Sequence, residues 1–517
     1  MYNDSRSLFS ADSFKWAILS LLLLVITIVI AQPLQPHSTT VLSEVLTHYS
    51  NPSDSLKQAA TQFLFDNMEG HSYMTFDLAD TNGAVVDFNV LSFANYDNLV
   101  ASFDTLEKQH GVLDFKKRDV VDDDSVITAA FLINHIDLAF TAWQNRAWAK
   151  DFTFNQFCEY ILPYRGSNEP LEKWREYFCT RYDSAFHHMK NPTDPIEAAS
   201  LINQDLITWF HFDPRFYYHP TDQGLTDMLT TKLGRCEDMT NLTIYAMRAN
   251  GLAVTSDYTP YWANSGNNHA WNSIVTTDGK VIPFMGAEAN PGSYQLANKL
   301  AKVYRKTYSI QRSNLAFQVT DPDKLPKYIS SKSYTDVTRD YTTVKDITFK
   351  LAAPDSVQFA YLCVFNSGEW KAIHWSKIAD GSATFTDMGT DIAYLPAYYI
   401  DEKIVPAGLP FILTSGGEIN TLAADTNRRV SVTLSSTTKT TLEISTDGIR
   451  KAAFTQGVSY ELHYWEGGWK TACTQIAGET PITFTGVPSG CIYWLTAAES
   501  DREERIFTYD SDQQIWW

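Results

Sequence analysis

Two residues in the middle of the chain have the types that covalent acyl chemistry requires. Cys236 lies in Leu233-Gly-Arg-Cys-Glu-Asp, and His269 lies in Asn267-Asn-His-Ala-Trp-Asn. A thiolate is a strong nucleophile, and a neutral imidazole can accept the thiol proton and later protonate a leaving amine. Either residue alone is explained more simply by packing. Together they predict thiol acyl transfer, provided that the fold brings them into contact.

The residues around Cys236 predict a helix that begins at the thiol. Gly234 allows a tight backbone before it, and the carboxylates of Glu237 and Asp238 suit the positive end of a helix dipole. Gly251 supplies a left-handed stop at the other end. The orphan N–H groups of a first turn stabilise a thiolate there. The apolar face has helical spacing and consists of Leu242, Tyr245, Ala246 and Ala249.

The residues from His269 to Val275 predict a strand that carries the imidazole on one face. Residues 276–279, Thr-Thr-Asp-Gly, then close a hairpin into a second strand at 280–284. A nucleophile on a helix N-terminus and a histidine on the sheet packed against it form the arrangement that this chemistry needs.

Four short motifs in this region resemble a known family. Gly-Arg-Cys-Glu-Asp, Ala-Asn-Gly-Leu-Ala, His-Ala-Trp-Asn and Asp-Gly-Lys-Val-Ile-Pro follow one another between residues 224 and 291. Their order and spacing resemble the transglutaminase-like core of the papain-like fold. The resemblance implies an α+β core at 196–325, with Cys236 as nucleophile and His269 as base. It implies a protein or peptide amide as substrate and requires no metal or other cofactor.

The chain departs from the family pattern at the residue that should orient the imidazole. Family members usually have an aspartate where this chain has Met285. Glu288 is our first candidate to replace it, and Asn290 is the second, because an amide oxygen can orient an imidazole as well. Asp278 occupies the hairpin turn and is more simply a turn former.

Several residues near His269 are candidates for the substrate approach. Tyr261 and Trp262 are expected to line it, and Asn267 and Asn268 to hold the loop before the histidine, although packing explains each of them equally well. The backbone N–H of Cys236 is expected to contribute to an oxyanion hole, with a second donor that the sequence does not identify.

The N-terminus predicts export. Lys15 precedes an apolar stretch at 16–30 and then Ala31, which is the pattern of a signal peptide spanning 1–31. An uncleaved membrane anchor is the alternative. Both interpretations place the body of the chain in the periplasm or at the cell surface, and the flanking segments 157–165 and 257–262 resemble exported multidomain bacterial members of the family.

Export changes the interpretation of the six cysteines. Cys158 and Cys179 are close in sequence, as are Cys473 and Cys491, and each pair is a candidate disulfide. Cys236 and Cys363 would then be the free thiols.

Charge and composition limit the partners. The formal net charge of -19 repels phosphate backbones, so nucleic acid is not an expected partner. The adjacent His187 and His188 have no carboxylate or thiol at ligand spacing and are expected on a solvated helix face, so we predict no metal site.

The rest of the chain divides into a helical region and two β modules. Residues 40–195 read as mainly helical, and residues 340–425 and 426–517 as two tandem β-sandwich modules. Three motif pairs share one offset, which predicts a duplication: Gly368-Glu-Trp-Lys with Gly467-Gly-Trp-Lys, Thr384-Phe-Thr with Thr483-Phe-Thr, and Ile392-Ala-Tyr with Cys491-Ile-Tyr. The tryptophans of the first pair are more simply packing residues than sugar platforms.

The fold class we predict is multidomain α+β, with a helical N-terminal region, a papain-like transglutaminase core and two β-sandwich modules. The expected function is that of an exported thiol enzyme acting on amide bonds through a Cys236 thioester, with hydrolysis favoured over cross-linking. The alternative is a catalytically inactive surface protein that binds peptide or glycan, and a cell-surface glycan is the second class of partner considered.

Overall fold

The computed structural model describes residues 36–219, 221–321, 324–434, 443–445, 448–450, 454–478, 481–497 and 505–517. The predicted signal peptide or anchor at 1–31 lies outside the described residues. In the part of the chain that is described, no helix has the length and apolar character that a bilayer crossing requires.

The N-terminal region is mainly helical, as its composition indicates, and it also contains a two-stranded antiparallel sheet that the sequence analysis did not anticipate. The strands are β1 (Ser72–Ala79) and β2 (Asp114–Asp122). The helices are α1 (Pro36–His48), α2 (Ser55–Asp66), α3 (Tyr96–His110), α4 (Asp123–Val126), α5 (Ala129–Asn145), α6 (Phe154–Tyr160), α7 (Trp174–Phe178) and α8 (Asp183–Phe186).

The predicted core follows as helices packed on a five-stranded antiparallel sheet, with strand order β7-β6-β5-β8-β9. The helices are α9 (Pro195–Trp209), α10 (Leu225–Thr231) and α11 (Cys236–Arg248). The strands, including the short parallel pair β3–β4, are β3 (His211–Phe212), β4 (Leu233–Gly234), β5 (Val254–Thr259), β6 (His269–Val275), β7 (Val281–Phe284), β8 (Tyr304–Lys306) and β9 (Tyr334–Asp336).

Helix α11 begins at Cys236 and strand β6 at His269, as the sequence predicts. The expected apolar stripe is buried, but the burial continues around the helix, from Asp238 to Arg248. A helix buried on every side lies inside a domain rather than at its surface. Here the N-terminal helices cover the face opposite the sheet, where Trp174 of α7 stacks on Tyr245 with ring centroids 5.1 Å apart.

A buried polar network sets the position of β6 in the sheet. The guanidinium of Arg305 on β8 donates two hydrogen bonds to Asp257 on β5, at 2.8 and 2.7 Å. The Tyr341 hydroxyl also donates to Asp257 and in turn accepts from the Trp271 indole of β6 at 3.2 Å. Because removal of one partner would leave a buried charge unpaired, this network specifies the strand arrangement strongly.

The remaining strands fall into two segments with a repeated strand order. The first repeat contains β10 (Val344–Lys350), β11 (Phe359–Asn366), β12 (Glu369–Lys377), β13 (Ser382–Gly389), β14 (Ile392–Ile400), β15 (Lys403–Pro406), β16 (Phe411–Leu413) and β17 (Ile419–Thr421). The second contains β18 (Asp425–Leu434), β19 (Glu443–Ser445), β20 (Gly448–Arg450), β21 (Ser459–Trp465), β22 (Trp469–Ile476), β23 (Ile482–Ser489), β24 (Tyr493–Ala497), β25 (Ile506–Asp510) and β26 (Gln513–Trp516).

The two repeats share strand order as well as motifs. β10 pairs with β13 and β18 with β23, while β12-β11-β14 and β22-β21-β24 form the matching antiparallel sheets. The register shifts at Leu362/Cys363 in the first copy and at Leu462/His463 in the second. Register shifts at corresponding positions are expected of two copies of one unit, because β-bulges are retained within families.

The cysteines differ from the prediction. All six are free thiols, so neither the Cys158–Cys179 pair nor the Cys473–Cys491 pair is bridged. Cys158 is buried in α6 and contacts apolar residues, whereas Cys179 lies just after α7, where its thiol donates to the Glu176 carbonyl at 3.4 Å. Proximity in sequence did not place either pair in bonding geometry.

Hydrogen bonds from the β repeats hold the loop that leads into β6. Asn366, at the end of β11, is buried, and its amide donates to the carbonyls of Trp262, Ser265 and Asn267 at 3.0, 2.9 and 2.9 Å. Arg505 adds a hydrogen bond to the Ala263 carbonyl at 2.8 Å. The loop before His269 is therefore held by residues that lie far away in sequence.

Replacement of Asn366 by alanine is expected to loosen this loop. Loss of hydrogen bonds to buried carbonyls should lower the local unfolding free energy by about 1–3 kcal/mol. This corresponds to amide exchange that is about 5- to 150-fold faster. Hydrogen–deuterium exchange of peptides spanning 262–268 measures the effect. Asn420→Ala, at an exposed position of β17, is the matched control. Unchanged exchange in Asn366→Ala would show that the loop does not depend on this contact.

Candidate functional site

Close packing at Gly234 brings Cys236 to the start of its helix. A Cβ at Gly234 would lie 2.7 Å from the Asp238 side chain and 2.8 Å from Phe210, so only glycine fits there. The Arg235 backbone N–H donates to the Asp238 carboxylate at 2.9 Å, which caps the first turn. The chain is thereby turned so that Cys236 is the first helical residue, facing β6.

Burial and nearby carboxylates both act against a thiolate at Cys236. Burial is the larger cause and the adjacent Glu237 carboxylate adds to it, raising the pKa of the Cys236 thiol to about 11. A hydrogen bond from the backbone of Ala270 and the charge of Arg235 act in the opposite direction. Because the raising influences dominate, the thiol is protonated at neutral pH, and the sequence-based expectation of a helix-stabilised thiolate does not hold in this conformation.

The charges around the helix N-terminus are paired with one another. Lys306 forms an ion pair with Glu237, and Arg235 forms one with Asp222. Cations that could have lowered the thiol pKa are therefore partly neutralised by carboxylates of the same cluster.

His269 lies among aromatic rings. Its ring stacks on that of Trp262 with centroids 5.7 Å apart, and the Trp271 ring lies 5.9 Å away on the same face of β6. Its Nε2 is 2.6 Å from the hydroxyl oxygen of Tyr294. Burial lowers the pKa of His269 to about 4, so the imidazole is neutral at physiological pH.

The Tyr294 hydroxyl occupies the place that we expected Glu288 or Asn290 to fill. Met285 is buried in the core, and the backbone N–H groups of Glu288 and Ala289 donate to its carbonyl at 3.2 and 2.8 Å. This tight turn leaves Glu288 exposed. The structure therefore gives Glu288 no contact with the imidazole, which corrects our first candidate.

Asn290 is also engaged elsewhere. Its amide oxygen accepts from the Asn203 side chain at 3.1 Å, and the Asn203 oxygen accepts from the Ala287 backbone at 2.7 Å. These bonds lock the turn after β7, and they use the oxygen that could have oriented His269. Tyr294 was not a candidate, because Pro291-Gly-Ser-Tyr294 reads as an ordinary loop and no spacing signal marks it.

The residues expected along the approach lie beside the pair. Trp262 contacts the His269 ring directly, and its backbone N–H donates to the Asn267 carbonyl at 3.1 Å. The Asn268 side chain hydrogen-bonds Tyr328. Tyr261 packs edge-on against Tyr328 at 5.2 Å. Trp262 therefore belongs to the immediate surroundings of the imidazole, and Asn268 and Tyr261 belong to a second layer.

The arrangement can support proton transfer between neutral partners. With Nε2 engaged by Tyr294, Nδ1 is the imidazole nitrogen left to accept a thiol proton. No group of three or more His, Cys, Asp or Glu side chains suited to a metal ion occurs within the described residues.

Comparisons with known proteins find similarity in the segment that carries Cys236 and His269. Residues 184–284 match the family model for the transglutaminase-like superfamily. The crystal structure of red sea bream transglutaminase aligns at 8% identity with a TM-score of 0.22, covering 86% of this chain and 76% of the fish protein. A search of curated proteins finds no match to the chain. The family match spans the helix of Cys236 and the strand of His269, so this segment is similar to the transglutaminase-like core.

Proposed function

We propose that the protein is a thiol enzyme that cleaves amide bonds of protein or peptide substrates through a Cys236 thioester. The sulfur attacks the amide carbonyl while its proton passes to His269. The imidazolium then protonates the departing amine or ammonia as the C–N bond breaks. Water, deprotonated by the same imidazole, adds to the thioester and releases the carboxylic acid and the thiol.

One observation carries this proposal: the Cys236 sulfur accepts a hydrogen bond from the backbone of Ala270, the residue that follows His269 on β6. The contact places the helix N-terminus against the strand that bears the imidazole. The family match over 184–284 includes both elements.

The neutral state of both groups sets the form of the mechanism. With the thiol pKa at about 11 and the imidazole pKa at about 4, the proton remains on the Cys236 sulfur before the substrate carbonyl binds. A phenol, unlike a carboxylate, can either donate to Nε2 or accept from it. Only when Tyr294 accepts from Nε2–H is Nδ1 free to take the thiol proton, so we propose Tyr294 as the positioning residue that selects the tautomer.

We favour hydrolysis over transfer to a lysine amine. The predicted export segment would put the site in a solvent-filled compartment, where water is the abundant acceptor. We propose that Trp262 and Tyr261 contact the substrate, together with Asn268, and that the protein acts in the periplasm or at the cell surface. No cofactor enters the steps above.

The architecture that accompanies this function is proposed to include two tandem β-sandwich modules, at 340–425 and 426–517. The support is the repeated strand order, in which a two-stranded pair accompanies a larger antiparallel sheet in each copy. Both repeats have buried apolar clusters of their own.

A catalytically inactive peptide-binding protein is the second candidate. Met285 in place of an aspartate favours it, because a methionine cannot accept a strong hydrogen bond from the imidazole. The raised thiol pKa favours it as well. In that case the same cleft would hold a peptide without cleaving it.

Replacement of Cys236 by alanine is expected to abolish amide cleavage. With dimethylated casein as substrate, the unmodified chain should release ammonia or peptides, and the variant should lose at least about a thousandfold of that rate. Ammonia assay and mass spectrometry of fragments measure it, and adding a fluorescent primary amine reports transfer. Cys179→Ala, at a partly buried thiol outside the site, is the control. Equal rates in both variants would refute the enzyme, and casein bound but uncleaved would favour the second candidate.

Tyr294→Phe is expected to lower kcat about 10- to 100-fold with little change in KM, because the ring stays in place while the hydrogen bond that orients His269 is lost. Steady-state kinetics on the substrate identified above measure the separate effects on kcat and KM. Tyr217→Phe removes a hydroxyl from another ring within electrostatic reach of Cys236 and serves as the comparison. A rise in KM alone would assign Tyr294 to substrate binding instead.

The pH dependence of alkylation should report the neutral pair. Since burial raises the thiol pKa to about 11, iodoacetamide labelling of Cys236 should accelerate about tenfold per pH unit between pH 7 and 10. Peptide mapping of the labelled chain measures the rate at Cys236. Turnover should instead be lost only as pH falls through about 4, where His269 becomes protonated. An alkylation plateau below pH 7 would reveal a preformed thiolate and contradict the assignment.

A further inference from the structure

A cavity of about 700 Å³ lies where the core meets both β repeats. We call it the junction cavity. Its wall includes Tyr261 of the core, Tyr399 of the first repeat and Trp469 of the second, and each of these rings is only partly buried. The volume falls in the range of small-ligand sites, about 300–1,000 Å³. Three aromatic faces from three parts of the chain thus converge on one space.

The duplicated hairpin contributes both of its copies to this cavity, and the copies differ. In the first, Trp370 is 7% exposed and packs edge-on against Phe365 at 5.5 Å and Trp465 at 5.8 Å. This contact confirms a packing role for that tryptophan. In the second copy, Trp469 also packs, with ring centroids 5.7 Å from Phe365, 5.1 Å from Trp465 and 5.4 Å from Trp494, but it remains partly exposed.

The residue before each tryptophan also differs between the copies. Glu369 precedes Trp370, whereas Gly468 precedes Trp469. A Cβ built at Gly467 or Gly468 would meet nothing within 4 Å. A side chain at Gly468 would therefore extend into unoccupied space at the cavity wall.

The polar part of the wall has both signs of charge. Glu369 and Lys371 form an ion pair at 2.6 Å on one side, and Glu402 and Lys403 lie on the other. Lys327 also lines the cavity, so its wall carries three lysines and two glutamates. Carboxylates accept hydrogen bonds and ammonium groups donate them, so the wall offers both functions. The hydroxyl groups of a sugar can use both the acceptors and the donors of such a wall.

We propose that the junction cavity binds a neutral oligosaccharide. The apolar faces of the sugar rings lie against Trp469, Tyr261 and Tyr399, and the hydroxyl groups hydrogen-bond the charged side chains. A proline-rich peptide could use the same rings, but it carries no donors for Glu369 and Glu402 at its proline positions. The wall therefore favours the sugar.

The junction cavity adjoins the candidate active site and shares Tyr261 with its proposed substrate approach. Tyr261 packs against Tyr328, and Tyr328 lies within electrostatic reach of the Cys236 thiol. An oligosaccharide held here would keep a glycan-bearing substrate beside the thiol. Binding itself needs no thiol chemistry, so it can be tested separately from the proposed function.

The test is titration calorimetry of the full chain with four neutral hexasaccharides: β-1,4-glucan, β-1,4-mannan, β-1,4-xylan and α-1,4-glucan. At least one should bind with a dissociation constant of about 1 mM or below. Gly468→Glu places in the second copy the side chain that the first copy has, and should weaken that binding at least tenfold without changing the melting temperature. Trp469→Ala should weaken it to a similar extent.

Gly478→Glu is the matched control, because Gly478 is exposed and a Cβ there also meets nothing within 4 Å. It should bind as the unmodified chain does, and so should Cys236→Ser. Failure of all four sugars to bind would overturn the proposal, and so would unchanged affinity in Gly468→Glu or equal loss in Gly478→Glu. Binding of a decaproline peptide without any sugar would assign the cavity to peptides.

Discussion

The site depends on the burial of a thiol and an imidazole away from water. Both groups lie where the first turn of α11 contacts the first residues of β6. Burial disfavours both the thiolate and the imidazolium, so it separates the two pKa values instead of drawing them together. In a pair of this kind the proton stays on sulfur. Attack then requires the proton to move as the substrate carbonyl arrives, and whatever orients the imidazole controls that transfer.

The surroundings of the pair reinforce this neutral state. A helix N-terminus favours negative charge, but here its first turn already carries Glu237 and Asp238. The nearby cations, Lys306 and Arg235, pair with carboxylates. Much of the positive potential at the helix end is thus used within the protein. A phenol rather than a carboxylate at Nε2 adds no charge to stabilise an imidazolium, which is consistent with the lowered pKa of His269.

The β repeats contribute to the site as well as to the architecture. Asn366 and Arg505 bind backbone carbonyls in the loop that precedes His269, so the position of the imidazole depends on both repeats. The same junction contains the aromatic cavity, where the tryptophans of both hairpin copies pack against other rings and Trp469 is the more exposed of the two.

Local patterns in the sequence determined the helix that begins at Cys236, the strand that begins at His269 and the duplicated β segments, since periodicity, turn residues and motif spacing act between near neighbours. They did not identify Tyr294, because a loop tyrosine carries no periodic signal, and they suggested Glu288, which the turn after Met285 exposes. They also suggested two disulfides, which proximity along the chain alone does not create. Only the tertiary structure decided the protonation states, the hydrogen-bond partner of the imidazole and the hydrogen bonds from Asn366 to the loop before His269. Burial and long-range hydrogen bonds depend on which distant segments pack together.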